Sequence, residues 1–169
     1  MLTIGDVFGI TAGLTGLFLT TWAMTVACNL LFPNQTERAQ LSLDRNSKWT
    51  MAIGAFLTIV LGFFALVLFQ APNPGGKILA WFLLLIILSL GSVGLAGAGR
   101  LAARRIQESE GTLASYPAFI RGSAFLIGAS MLPILGWFAF GPLLLMASVG
   151  AGFKAVFHRV KSIEMAEAA

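Results

Sequence analysis

The sequence predicts an all-α integral membrane protein that forms one polytopic domain over residues 1–169. Hydrophobic residues make up 57% of the chain and charged residues only 11%, whereas about 25% of the residues in a soluble domain are charged. The mean hydropathy is +0.87, so too few polar side chains remain to cover the surface of a soluble fold. Long uncharged runs alternate with short charged segments, as in proteins that cross a bilayer several times. A soluble enzyme, a disordered chain and a disulfide scaffold are therefore excluded.

The first uncharged run predicts a membrane helix over 7–32, which Pro33 ends. The polar segment that follows carries Asn34 and Glu37 at capping-box spacing. This pattern predicts a short interfacial helix within 34–48.

Two further runs predict membrane helices over 49–69 and 78–99, joined by a turn at 70–77 that is rich in proline and glycine. The third helix should continue as a polar-faced helix through three arginines, Arg100, Arg104 and Arg105. Residues 107–116 are predicted to form a loop. Ser115 and Pro117 then mark the start of the next helix.

The last uncharged stretch, 122–153, is too long for one crossing. Its 32 residues would form a helix of about 48 Å, against a hydrocarbon core of roughly 30 Å. Pro133 and Gly136 in its middle are typical of a tight turn. The sequence therefore predicts a bundle of five membrane helices, the last two of which (117–132 and 137–157) form a hairpin. Four spans with a long kinked last helix are the alternative.

Charge distribution favours the hairpin. Ten of the eleven Lys and Arg residues then lie on one side of the membrane and only Lys77 on the other, whereas the four-span alternative divides them seven to four. Because positive charge accumulates on the cytoplasmic side, the N-terminus is predicted outside and the C-terminus in the cytoplasm or its equivalent. A bacterial inner or internal membrane is the expected location.

Residues that carry chemistry are scarce in the predicted spans. Their interiors hold no Asp, Glu, Lys, Arg or His, which argues against a pump, a coupled transporter or an enzyme. Cys28 is the single cysteine, so neither an internal disulfide nor a soft-metal site is expected. His158 is the one conventional ligand for a pigment, but its place after the last helix better suits a cation at a helix C-terminus. No cofactor and no nucleic-acid partner are predicted; an apolar pigment or lipid stays open as a ligand.

The positive signal is helix packing. Glycines recur at spacings that let helix backbones approach closely in lipid. The predicted packing residues are Gly5, Gly9, Gly13, Gly91, Gly94 and Gly97. Packing within this chain is the favoured interpretation, and an interface with another membrane protein is the alternative.

Several short motifs carry a resemblance. They are Leu31-Phe32-Pro33 followed by Glu37-Arg38-Ala39, then GRLAARRI at 99–106 and LPILGW at 132–137 before a glycine-rich last helix. Together they resemble the multi-helix membrane regions that accompany bacterial bactofilin-type polymer-forming proteins. The polar, repetitive β-helix by which those proteins polymerise is not in this sequence. The resemblance thus implies an anchoring or scaffolding role and assigns no functional residue.

The functional hypothesis is a non-catalytic membrane protein. It would act as an accessory or assembly subunit, or as a scaffold, of a larger membrane complex, with a bioenergetic complex as one candidate. Its partners would be the lipid bilayer and other membrane subunits. A passive pore or a lipid-handling protein is the alternative.

Overall fold

The computed structural model describes residues 4–110, 114–132 and 134–157, and almost all of these residues are helical. Six α-helices follow one another, and a π-helical turn at Gly136–Phe140 leads into the last. The helices are α1 (Ile4–Leu31), α2 (Pro33–Arg45), α3 (Ser47–Gln70), α4 (Pro74–Glu110), α5 (Ser115–Ser130) and α6 (Gly141–Phe157). The all-α prediction is confirmed.

Four helical segments are long and apolar enough to cross a membrane: Gly5–Leu31, Ser47–Gln70, Pro74–Ser109 and Gly136–Phe157. These candidate spans indicate a multi-pass membrane protein. Helix α5 has 16 residues, fewer than the roughly 20 that a full crossing needs. Five spanning helices therefore stay a prediction.

Two local predictions are wrong. Helix α4 continues to Glu110, where a loop was expected from 107, and Arg104 Nε lies 3.0 Å from Glu108 Oε1 one turn later, which supports the extra turn. Helix α2 begins at Pro33, two residues earlier than a capping box with Asn34 as the N-cap requires, and Phe32 at its N-cap makes no side-chain capping bond. Proline favours the first helical position because its φ angle already suits a helix.

Alanine is the commonest buried apolar residue of this fold, and many large apolar side chains are exposed. Helix α4 is central and packs against all five other helices. Half of the buried apolar residues are alanines, while large side chains such as Phe8, Phe125 and Phe138 are exposed. This distribution suits a bilayer, where lipid solvates large apolar side chains and small ones bring helix backbones together.

Individual contacts show where α3, α4, α5 and α6 meet. Helices α3 and α4 form an antiparallel pair, and the rings of Phe69 and Trp81 meet edge to face next to their connection, 5.6 Å apart. The start of α3 lies against the later part of α6, since a Cβ at Gly150 would overlap the Thr50 carbonyl. Helix α5 lies on the later part of α4, where Gly122 meets the backbone of Ala103.

Helical structure is interrupted between Ser130 and Gly136. A Cβ at Gly136 would overlap the Ser130 carbonyl, so only glycine permits this close approach. Pro133, the other residue of the predicted turn, lies outside the described residues. The break rules out one continuous helix over 122–153, and the predicted hairpin belongs to the proposals below.

Candidate functional site

The N-terminal half of α1 carries a glycine face that nothing in the described chain covers. Gly9, Gly13 and Gly16 lie on one side of the helix, and a Cβ added at any of them would meet no atom within 4 Å. Gly5, one turn before Gly9, is also exposed. We call these four residues the open glycine face. No described residue packs on Gly9 or Gly13, so packing within the chain, the favoured sequence interpretation, is not seen at these glycines in the described residues.

Hydroxyl groups near the glycines of α1 form hydrogen bonds within the helix itself. Three threonines donate to the carbonyl oxygen four residues earlier, each at 2.8 Å: Thr11, Thr15 and Thr20. Their hydrogen-bonding capacity as donors is thus used locally. The open glycine face offers bare backbone, which suits close van der Waals packing against another helix.

The predicted glycines of α4 lie inside the bundle instead. A Cβ at Gly94 would overlap the Ser148 carbonyl of α6, and one at Gly97 would lie 2.9 Å from the backbone nitrogen of Gln40 on α2. Gly91 is less confined, because its added Cβ would stand 3.8 Å from a methyl group of Val149. Helix α4 therefore uses its glycines to pack this chain together.

Two further close contacts involve glycines that were not among the predicted packing residues. A Cβ at Gly54 would overlap the backbone of α6 near Gly150, and one at Gly122 would lie 2.9 Å from the amide nitrogen of Ala103. Each of these glycines follows another small residue by four positions, Thr50 and Ala118. That small-x-x-x-small spacing is the signal that could have found them.

One hydrogen-bond network joins α2, α3 and α6. Lys154 Nζ donates to Thr50 Oγ1 at 2.8 Å. The same Thr50 hydroxyl lies 2.8 Å from the Asn46 carbonyl and 2.9 Å from the Ser42 carbonyl, either of which can accept its proton. Lys154, the only charged side chain near the end of α6 in the described chain, is thereby bound to the start of α3. The end of α6 therefore lies at the same end of the molecule as α2.

An apolar cleft of about 350 Å³ lies between α1, α4, α5 and α6. Its walls are mainly aliphatic, and the residues that line it include Met24, Ile87, Leu95, Ile127, Leu144 and Val149. Ser148 also lines the cleft, and its buried hydroxyl has no hydrogen-bond partner in the described residues. We call this space the apolar cleft.

A second cavity, of about 370 Å³, lies between α1, α2, α4 and α5 where the charged part of α4 begins. It is polar: Arg100 and Arg104 share its wall with the hydroxyls of Ser115 and Tyr116 and with three amides, Asn29, Gln40 and Gln107. No carboxylate is among the described residues that line it. We call this cavity the basic pocket.

Reactive and metal-binding side chains do not converge anywhere in residues 4–110, 114–132 and 134–157. No group of three His, Cys, Asp or Glu side chains is close enough there to hold a metal ion. Cys28 is a buried free thiol near the end of α1. His158 lies outside the described residues. The features able to bind something are thus the open glycine face, the apolar cleft and the basic pocket.

Comparison of the chain with protein-family models, with curated protein sequences and with solved structures gave no match. Any function must therefore be argued from these three features.

Proposed function

We propose that this chain is a non-catalytic membrane protein that associates with another membrane subunit through the open glycine face of α1. The contrast between α1 and α4 supports this proposal. Backbone or side-chain atoms of other helices fill the space over Gly94 and Gly97, whereas Gly9, Gly13 and Gly16 have free space over them. A helix that offers bare backbone along three turns gains most from a second helix that fits against it, because lipid tails pack poorly into such a groove.

The same proposal includes the topology. The fold would use α5 and α6 as a hairpin, with the N-terminus outside and the arginine-rich end of α4 in the cytoplasm or its equivalent. The positive charges support this orientation: Arg100, Arg104 and Arg105 follow the apolar part of α4, and Lys154 shares that end with α2.

Purification in mild detergent followed by mass spectrometry of the co-purifying chains tests the association. The double variant Gly9→Leu/Gly13→Leu should lose a stoichiometric partner, because two leucine side chains would hold the partner helix away. Its own thermal stability should not fall, since nothing in the described chain contacts either glycine.

The variant Gly62→Leu is the matched control, because Gly62 lies in α3 and its added Cβ also meets nothing within 4 Å. It should keep the partner. If the double variant and the control retain the same chains, the open glycine face contacts lipid and the proposed subunit role is wrong.

Lipid handling is the second candidate, and the apolar cleft favours it. A pocket of this kind inside a helical bundle, with the buried and unpaired hydroxyl of Ser148 in its described wall, suits one apolar chain that carries a hydrogen-bonding group. Extraction of the purified protein and analysis of the bound lipids separates the two candidates. A stoichiometric apolar molecule that Ile127→Trp displaces would favour lipid handling.

A further inference from the structure

The basic pocket lies at the depth of the lipid headgroups. Helix α4 is uncharged between Lys77 and Arg100, a distance of about 35 Å along the helix axis. Since the hydrocarbon core is roughly 30 Å thick, a span with Lys77 at one surface puts Arg100 at the other. Tyr116 and Phe119 line the same pocket, and aromatic residues are enriched at this level of a membrane.

Arg100 has N–H groups that are available to bind an anion. Its Nη1 atom donates to the Pro33 carbonyl at 3.1 Å and lies 3.4 Å from Thr36 Oγ1. No carboxylate in the described residues pairs with this guanidinium, and its Nε and Nη2 atoms make no hydrogen bond there. Two N–H groups side by side on a guanidinium match two oxygens of a phosphate.

Arg104 differs from Arg100 in this respect. It pairs with Asp44 at 3.3 Å and with Glu108 at 3.0 Å. Its charge is therefore compensated, and the pair with Asp44 joins α4 to α2 beside the pocket. The uncompensated charge in the basic pocket belongs to Arg100.

We propose that the basic pocket binds the phosphate of an anionic phospholipid headgroup, with Arg100 as the main contact. The amides and hydroxyls that line the pocket supply further donors to the phosphate and to a glycerol headgroup. An opening between helices at the cytoplasmic surface, with positive charge and no carboxylate in its described wall, is the kind of site that anionic headgroups occupy. This site is independent of the open glycine face, so it can fail while the proposed subunit role stands.

Native mass spectrometry of the full chain in detergent, with added phosphatidylglycerol or phosphatidylcholine of the same acyl chains, tests the proposal. The wild-type protein should bind one phosphatidylglycerol at least tenfold more tightly than phosphatidylcholine. Arg100→Gln should reduce this preference about tenfold or more. Arg105→Gln is the matched control, because Arg105 is an exposed arginine on the same helix that does not line the pocket, and it should change the preference less than twofold.

A second variant and a competition experiment complete the test. Arg100→Lys retains the charge but loses the paired N–H groups, so a folded protein with an intermediate loss, about threefold to fivefold, is expected even if Arg100→Gln does not fold. Inorganic phosphate at millimolar concentration should not compete with phosphatidylglycerol, because it lacks the acyl chains that hold the lipid in the bundle. Equal effects of Arg100→Gln and Arg105→Gln, equal binding of the two lipids, or full displacement by inorganic phosphate would each overturn the lipid assignment.

Discussion

At the scale of single residues, the surroundings of a glycine decide what the glycine does. Gly9 and Gly94 stand in apolar helices at similar spacings from other small residues, yet only Gly94 meets the backbone of another helix. A methyl group at Gly94 would have to displace the Ser148 carbonyl of α6. Helix α6 also packs on α2 and α3, so it cannot move freely. The two positions should therefore respond to the same mutation in opposite directions.

Gly94→Ala should lower the free energy of unfolding by about 1–3 kcal/mol, because overpacking moves α4 away from α6. Gly9→Ala should leave that free energy unchanged or raise it by up to about 1 kcal/mol, since alanine is the better helix former. Unfolding in mixed detergent micelles measures both. Equal destabilisation by the two variants would contradict the packing described here.

Thr50 is the second residue whose position matters more than its type. Its buried hydroxyl accepts from Lys154 and lies within hydrogen-bond distance of two carbonyls. Thr50→Val should therefore cost about 1–2 kcal/mol of unfolding free energy, because it leaves polar groups unpaired.

Thr11→Val is the control for Thr50→Val. Thr11 is exposed and donates only within its own helix, to the Val7 carbonyl. Its replacement should cost less than about 0.5 kcal/mol. A cost for Thr50→Val as small as this would show that the network joining α2, α3 and α6 adds nothing to stability.

At the scale of elements, α2 shows how a short helix packs on the long apolar helices of the bundle. Its buried residues are Thr36, Ala39 and Leu43, spaced three and four apart, and most of its other residues are polar. The sequence predicted a short helix in this region, but not which neighbour it packs on. Gly97 of α4 and Ala155 of α6 provide that neighbour, because small residues there leave room for α2 to lie close.

Ala39→Leu should detach α2 from the bundle. Ala39 is fully buried against α4, and a longer side chain has no space over Gly97. Limited proteolysis in detergent should then cut within α2 at least several-fold faster than in the wild type. Ala52→Leu, at an exposed position of α3, should leave the cleavage rate unchanged. If both variants were cleaved as slowly as the wild type, contacts other than Ala39 would hold α2 on the bundle.

At the scale of the whole molecule, the charges, the helix lengths and the predicted hairpin together predict the orientation of the chain in the membrane. The α3–α4 connection should lie on one side, and the ends of α4 and α6 should lie together on the other. Only a chain that reverses between α5 and α6 satisfies both conditions.

Single cysteines introduced in a Cys28→Ala background test this orientation with a membrane-impermeant thiol reagent. Asn73→Cys should react from one side of the membrane, and Ser109→Cys and Phe157→Cys from the other, because all three positions are exposed at helix ends. Reaction of Ser109→Cys and Phe157→Cys from opposite sides would exclude the hairpin.

The sequence alone determined the helical class, the existence of long apolar helices and the break near Gly136, because these depend on composition and on local backbone preferences. It was less accurate at helix ends, where the pair of Arg104 and Glu108 extends α4 and α2 begins at Pro33 with Phe32, not Asn34, as its N-cap. Only the tertiary structure decided which glycines are covered, since that depends on whether another helix of the chain packs beside them. It also brought Arg100 together with α1, α2 and α5 to form the basic pocket, because these residues are distant in the chain and meet only when the helices pack.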